Sequence, residues 1–164
     1  MKRLLILAAI FIAGCTSQQG DQFTPQQKDQ IRSEVKAVSD SIIARAERLD
    51  SGYFDYFADS PDWGMVIAEG SRWDFQSTKK AISDFVNSAN SYKWTTTRLE
   101  FLFMTEDLVI CALDGKDEVI MKSGDRQTCD RHAYSMVFKK IAGQWKVVYS
   151  HDSGIVVTQK AGKK

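Results

Sequence analysis

The chain has 164 residues, a length that allows one domain with a sizeable core and excludes two such domains. Apolar residues make up 43% of it and charged residues 26%, which is typical of a globular protein and excludes a disordered one. The formal net charge is only +1, so the chain lacks the basic surplus expected of a protein that binds nucleic acid.

The N-terminus has the parts of a targeting segment. Lys2 and Arg3 are basic, residues 4–12 are an unbroken apolar run, and small residues lead to Cys15. This run is well short of the ~20 residues that span a bilayer. Residues 1–14 resemble a bacterial lipoprotein signal, and the resemblance implies cleavage before Cys15, lipidation of that cysteine and anchoring in the cell envelope. In a Gram-negative host it implies the periplasmic side of the outer membrane. A plain secretory signal and a membrane anchor are the alternatives.

A long helix is predicted after a polar tether of residues 15–23. Thr24 precedes Pro25, and Gln27 follows three residues after the cap, which is the pattern of a helix start. Apolar residues then recur at helical spacing over about 25 residues. These residues are Ile31, Val35, Val38, Ile42, Ala46 and Leu49. We expect this stripe to face the core, and a surface for a partner is the alternative.

Shorter elements follow the long helix. Residues 50–52 end it, and residues 53–57 predict one or two helical turns that carry aromatic side chains. Gly70 lies between two short strand-like runs and predicts a hairpin. Residues 77–80 predict the start of a second helix, whose apolar stripe runs through Ala89 to Tyr92.

The second half of the chain alternates with the period of strands. Four strands are predicted, at residues 93–104, 108–121, 128–141 and 144–151, with turn-like residues between them. Helices followed by a meander of strands predict an α+β domain with an antiparallel sheet.

The last two strands meet at the turn Ala142-Gly143. A two-residue loop there, with unbroken alternation, pairs Tyr134 with His151 and places one set of side chains on a common surface. That set is Tyr134, Met136, Phe138, Trp145, Val147, Tyr149 and His151.

The pattern Trp-x-x-Val-x-x-His-x-Ser-Gly, from Trp145 to Gly154, resembles the closing strand of the nuclear transport factor 2-like superfamily. It is most similar to the SnoaL-like branch and to the association domain of calcium/calmodulin-dependent protein kinase II. The resemblance implies a cone over residues 24–156, with a long N-terminal helix and two shorter ones against a strongly curved sheet, and a basic tail at residues 157–164. Such folds serve isomerases, cyclases, dehydratases, transport factors and oligomerisation modules, so the fold alone does not identify the function.

The resemblance also implies a pocket inside the cone. The predicted ligand-binding residues are Tyr56, Phe57, Trp63, Trp73, Tyr134, Met136, Tyr149 and His151. For an enzyme, His151 is the predicted base, Tyr134 or Tyr149 the hydrogen-bond donor, and Asp55 or Asp74 a possible second acid. A structural role for His151 is the alternative.

Association domains of this superfamily hold an anionic group with arginines, and the resemblance places Met136 and Asp152 at two of those positions. Arg98 and Arg131 are possible substitutes, but arginine is normally exposed or paired. We therefore expect a neutral or apolar ligand.

Cys111 and Cys129 remain once Cys15 is assigned to lipid. Export permits a disulfide between them, and the strand register leaves both the bridged and the free form open. Because the chain has only two histidines, His132 and His151, and no spaced-ligand motif, we expect no metal and no cofactor.

The sequence therefore predicts a lipid-anchored, non-catalytic envelope protein that binds a small apolar or aromatic ligand or a protein partner. The alternative is a small isomerase, cyclase or hydratase that acts on a hydrophobic carbonyl compound by acid/base chemistry. Ala133, Val137 and Val148 on the outer face of the sheet predict a possible homodimer. We expect no nucleic-acid partner.

Overall fold

The computed structural model describes residues 23–162. The predicted signal, Cys15 and almost all of the tether lie outside the described residues. Among the helices that are described, none is long and apolar enough to cross a membrane.

The elements follow one another as three helical segments interrupted by two short strands, and then a meander. They are α1 (Pro25–Glu47), a 3-10 helix (Ser51–Tyr56), β1 (Gly64–Val66), β2 (Arg72–Trp73), α2 (Phe75–Ser88), β3 (Ala89–Thr105), β4 (Leu108–Met121), β5 (Arg126–Ile141), β6 (Gln144–Gly154) and β7 (Val157–Gln159). The seven strands form one curved, unclosed sheet of order β2-β1-β6-β5-β4-β3, with β7 paired to β5. This mixed α+β architecture confirms the predicted fold class.

Helix α1 begins after the predicted cap residue, Thr24. Thr24 Oγ1 accepts a hydrogen bond from the Gln27 N–H at 3.2 Å, and Gln27 Oε1 accepts one from the Thr24 N–H at 2.8 Å. Ile31, Val35 and Ile42 are buried on one side of the helix. The predicted apolar stripe therefore faces the sheet.

The boundary between α2 and β3 differs from the prediction. The helix begins two residues earlier, at Phe75, because the carboxylate of Asp74 caps it by accepting the Ser77 N–H at 2.7 Å. It ends at Ser88, so Ala89 and Tyr92, predicted on the helix, belong to β3. Pairing of β3 with β4 overrides the helical spacing of these two residues.

The hairpin of β5 and β6 begins in the predicted register. Lys140 pairs with Trp145 and Phe138 with Val147. Ala142 and Gly143 at the turn have φ values of 49° and 80°, as a type I′ turn requires.

An extra residue in β6 then changes the register. The ladder continues with Val137 opposite Tyr149, so Tyr134 pairs with Asp152 and not with His151. A β-bulge of this kind reverses which residues of the strand face inward. The predicted orientation of Tyr149 and His151 is therefore wrong, since Tyr149 is only half-buried and His151 is exposed.

The two cysteines of the sheet are free and buried. Cys111 lies opposite Met136 on β5, whereas Cys129 lies opposite Asp117 on β4. Burial raises the pKa of the Cys111 thiol to about 12. This thiol is therefore uncharged at neutral pH, which argues against a nucleophilic role.

Candidate functional site

A cavity of about 480 Å³ lies inside the cone and is called here the cone cavity. Helix α1, the 3-10 helix, α2 and the inner face of the sheet all contribute to its wall. Most of the lining is apolar or aromatic, including Ile42, Tyr53, Phe57, Ala81, Ile82, Phe85, Tyr92, Trp94, Leu113, Tyr134 and Met136. A volume of this size is within the range of sites that hold small organic molecules.

A histidine between two carboxylates forms the polar part of the wall. His132 lies on β5; its Nδ1 contacts Asp117 Oδ2 on β4, and its Nε2 lies 2.5 Å from Asp152 Oδ1 on β6. The three residues, the carboxylate–histidine cluster, all line the cone cavity. Because β5 lies between β4 and β6 in the sheet, the histidine is positioned from both sides.

A bulge in the sheet completes this cluster. Asp117 follows the regular alternation of β4 and shares the inner face with Leu113. His132 likewise shares the inner face of β5 with Tyr134. Asp152 faces inward because of the extra residue in β6, so the carboxylate–histidine cluster depends on that bulge.

The imidazole of His132 is charged at neutral pH. Burial lowers its pKa, but the hydrogen bonds and charges of Asp117 and Asp152 outweigh that effect and raise the pKa to about 10. Both ring nitrogens then carry a proton and donate to a carboxylate. The ring orients the two carboxylates and has no free nitrogen to act as a base.

Aromatic rings surround His132. Its ring stacks on Tyr134 with centroids 4.6 Å apart, and Trp94 lies 5.5 Å away. Trp94 reaches this position by crossing Gly115, where an added Cβ would lie 2.3 Å from the indole. Glycine at residue 115 is thus required for this approach.

Three tyrosines of the wall keep their protons. Burial raises the pKa of Tyr53, of Tyr92 and of Tyr134, and nearby carboxylates raise those of Tyr92 and Tyr134 further. Their hydroxyl groups are therefore hydrogen-bond donors at neutral pH.

One hydroxyl group beside the cavity has no hydrogen-bond partner among the described residues. Ser150 is 3% exposed, and within the described part of the chain its Oγ makes no hydrogen bond. A buried hydroxyl left without a partner costs about 1–3 kcal/mol. Ser150 belongs to the lining of the cone cavity, but its Oγ is not accessible from the cavity.

The structure brings half of the predicted ligand-binding residues together. Phe57, Trp73, Tyr134 and Met136 line the cone cavity. Trp63 is instead 2% exposed and packs against Phe54, Phe57 and Phe75 in a small separate core.

The other predicted residues lie away from the cone cavity. The ring of Tyr56 packs under the guanidinium of Arg45 at 5.4 Å, and Tyr149 and His151 are turned away by the bulge. Asp74 caps α2, and Asp55 is exposed at the end of the 3-10 helix.

Unbroken alternation missed two inward-facing polar residues of β6, Ser150 and Asp152. Asp117 and His132 were not predicted as site residues either, although regular alternation in β4 and β5 places both on the inner face. Tyr149 is apolar enough to continue the alternation begun by Trp145 and Val147, so the sequence of β6 does not indicate the bulge. The signal available in the sequence was a histidine and an aspartate, residues of opposite charge, at inward-facing positions of neighbouring strands.

The sequence profile of the SnoaL-like domain family matches residues 35–158. No curated protein matches the chain. Solved structures with the same fold include a protein assigned as a scytalone dehydratase from Novosphingobium aromaticivorans, with TM-score 0.73 and 10% identity over 86% of this chain and 94% of that one.

Two further structures show how varied the neighbours are. The hexachlorocyclohexane dehydrochlorinase LinA-type3 from Novosphingobium barchaimii has TM-score 0.68 and 11% identity over 83% of this chain and 94% of that one. A protein assigned as a calcium/calmodulin-dependent protein kinase II association domain from Xanthomonas campestris has TM-score 0.63 and 18% identity over 74% of this chain and 86% of that one. Identities this low establish the fold alone. The profile match covers most of the domain, and it shows that the chain belongs to the SnoaL-like domain family, with the fold of nuclear transport factor 2-like proteins.

Proposed function

We propose that this protein binds a small, mainly apolar molecule in the cone cavity without transforming it. The observation that carries the proposal is the cavity itself, about 480 Å³ of space between mainly apolar walls. Protein interiors are normally packed without voids of this size. An empty apolar volume with a few inward-facing polar groups is the arrangement found in ligand-binding sites.

The state of His132 favours binding over catalysis. A general base needs a nitrogen that is unprotonated at the working pH and within reach of the substrate. Both nitrogens of His132 are directed at carboxylates, and its pKa is raised to about 10. The only other histidine, His151, is exposed outside the cone cavity.

A second candidate function is a lyase or isomerase that acts on a hydrophobic carbonyl compound. It is favoured by one observation, the position of two carboxylates beside Tyr134 in the cone cavity. The second oxygen of Asp117 or Asp152 would remove a proton from the substrate, and the Tyr134 hydroxyl group would donate a hydrogen bond to the developing oxyanion. His132 would then hold the base in place. Recovery of a ligand chemically altered after incubation would establish this candidate in place of simple binding.

The proposal includes a lipid anchor at Cys15 in the cell envelope, on the periplasmic side of the outer membrane in a Gram-negative host, supported by the residues of the signal. The protein is expected in the membrane fraction, and Cys15→Ser is expected to move it to the soluble fraction.

A homodimer through the outer face of the sheet, near Val137, is part of the same proposal, and a monomer by light scattering at micromolar concentration would argue against it.

The binding proposal is tested on the full chain with indole as an apolar probe. Ala81→Phe places a ring in the cone cavity, whereas Ala37→Phe makes the same change at an exposed position of α1. By calorimetry, we expect indole to bind the unchanged protein and Ala37→Phe alike, and Ala81→Phe to bind at least about tenfold more weakly. Circular dichroism checks that both variants fold. Absence of indole binding, or equal binding by the two variants, would contradict the proposal.

A further inference from the structure

The charged residues that line the cone cavity are unbalanced. Asp117, Asp152 and the exposed Glu69 are acidic, and His132 is the one cation among the described lining residues. No lysine or arginine in the described chain lines the cavity. The carboxylate–histidine cluster therefore carries one negative charge in excess when His132 is protonated.

An uncompensated charge in an apolar cavity is costly. The side chain of Asp117 is 9% exposed and that of Asp152 is 20% exposed, so water screens them poorly. His132 occupies Oδ2 of Asp117 and Oδ1 of Asp152, which leaves the other oxygen of each carboxylate for a ligand. A cation bound there restores neutrality and makes the charge-assisted hydrogen bonds that carboxylates form best.

The wall near the cluster has the chemistry that receives a cation. Trp94 and Tyr134 are 5.6 Å apart and both adjoin His132, and Tyr53, Tyr92 and Trp73 continue the aromatic surface. The faces of such rings attract ammonium groups.

We infer that the ligand of the cone cavity is an amine, with an apolar body against the aromatic wall and a protonated nitrogen against Asp117 and Asp152. The inference rests on the proposed function and names the class of ligand. An anionic ligand is disfavoured because the carboxylates would repel it and no lysine or arginine among the described lining residues would pair with its charge.

The inference is tested with three ligands that share an indole ring and differ in charge. Tryptamine is cationic, tryptophol is neutral, and indole-3-acetate is anionic at neutral pH. In calorimetry on the full chain at low salt, we expect tryptamine to bind at least about tenfold more tightly than tryptophol, and indole-3-acetate to bind most weakly. Equal or tighter binding of tryptophol or indole-3-acetate would overturn the inference and leave the proposed function standing. Failure of all three to bind would overturn both.

A variant separates charge from shape. Asp152→Asn keeps the size of the side chain and removes the excess charge, so its affinity for tryptamine should fall about tenfold and that for tryptophol by much less. Comparing two ligands on one variant removes any general effect of the substitution on folding. Asp130→Asn, an exposed position outside the cavity lining, serves as the control and should leave both affinities unchanged. An equal loss for both ligands in Asp152→Asn would contradict the assigned role of its charge.

Discussion

The inner face of strands β4, β5 and β6 has two ends with opposite properties. At the packed end, Val109, Phe138 and Val147 lie side by side, fully buried below α1. At the open end, the same three strands carry the carboxylate–histidine cluster and face the cone cavity. The difference teaches that one sheet can supply stability at one end and a binding site at the other, with the bulge in β6 near the boundary.

Replacing a phenylalanine by alanine should have the largest effect on stability, and the effect should differ between the two ends. Phe138→Ala should lower the free energy of unfolding by about 3–5 kcal/mol, because it empties a closed core. Phe85→Ala removes a half-buried ring of α2 that already borders open space, so a loss of about 1–2 kcal/mol is expected. Urea denaturation measures both, and equal losses would contradict the division into a packed and an open end.

The two histidines offer a second matched pair. His132→Gln leaves Asp117 and Asp152 without their shared cation and should lower the free energy of unfolding by about 3 kcal/mol. His151→Gln alters an exposed side chain and should change it by less than about 0.5 kcal/mol. A larger loss of stability in His151→Gln than in His132→Gln would mean that the exposed histidine is the one that stabilises the fold, which would contradict this assignment.

The contribution of His132 should also depend on pH. Because its pKa is raised to about 10 in the folded protein, its stabilising effect is fully present below the ordinary value of 6.5 and is lost as the pH rises through about 10. The difference in free energy of unfolding between the unchanged protein and His132→Gln should therefore shrink from pH 7 to pH 10. A difference that stays constant over this range would mean that the ring is not charged in the folded state.

A smaller effect is expected where α1 is tied to the packed end. Glu34 Oε2 accepts hydrogen bonds from Lys140 Nζ and Trp145 Nε1, both at 2.8 Å, and the bond from Lys140 is the main cause that lowers its pKa to about 2. Glu34→Gln should lower the free energy of unfolding by about 1–2 kcal/mol at neutral pH. The loss should vanish as the pH falls from the ordinary value near 4.5 toward 2. Glu100→Gln, in an exposed ion pair, is the control and should have little effect.

The smallest effect on stability is expected at the open end. Ser150→Ala removes a hydroxyl group that has no hydrogen-bond partner in the part of the chain that the structure describes, so the free energy of unfolding should stay within about 0.5 kcal/mol or rise slightly. A large loss of stability would show that this hydroxyl group has a partner within the protein.

Much of the fold was predictable because its signals are local. The capping residues around Thr24 and the apolar stripe of α1 predict that helix, and the turn at Gly143 fixes the register of the last hairpin near its tip. The end of α2 was less predictable, since Ala89 and Tyr92 fit helical spacing and only pairing with β4 makes them strand residues.

The candidate site was predictable only in part. Tyr134 and Met136 were assigned to the cavity because alternation in β5 is regular over that stretch. Beyond Val148, alternation placed His151 inside and Asp152 outside, and the bulge reverses both. One inserted residue reverses the side of the sheet on which every later residue of the strand lies, and the strand propensities of the residues in β6 do not predict the insertion.

Nitrogen-15 NMR of the two histidine rings during addition of tryptamine tests the central claim most directly, with His151→Gln used to assign the signals. We predict that the His132 ring is charged on both nitrogens at about pH 8, as its raised pKa of about 10 requires, and that its signals shift as tryptamine binds while those of His151 do not. A His132 ring that is neutral at that pH, or that is unaffected by a ligand bound elsewhere on the protein, would contradict the account.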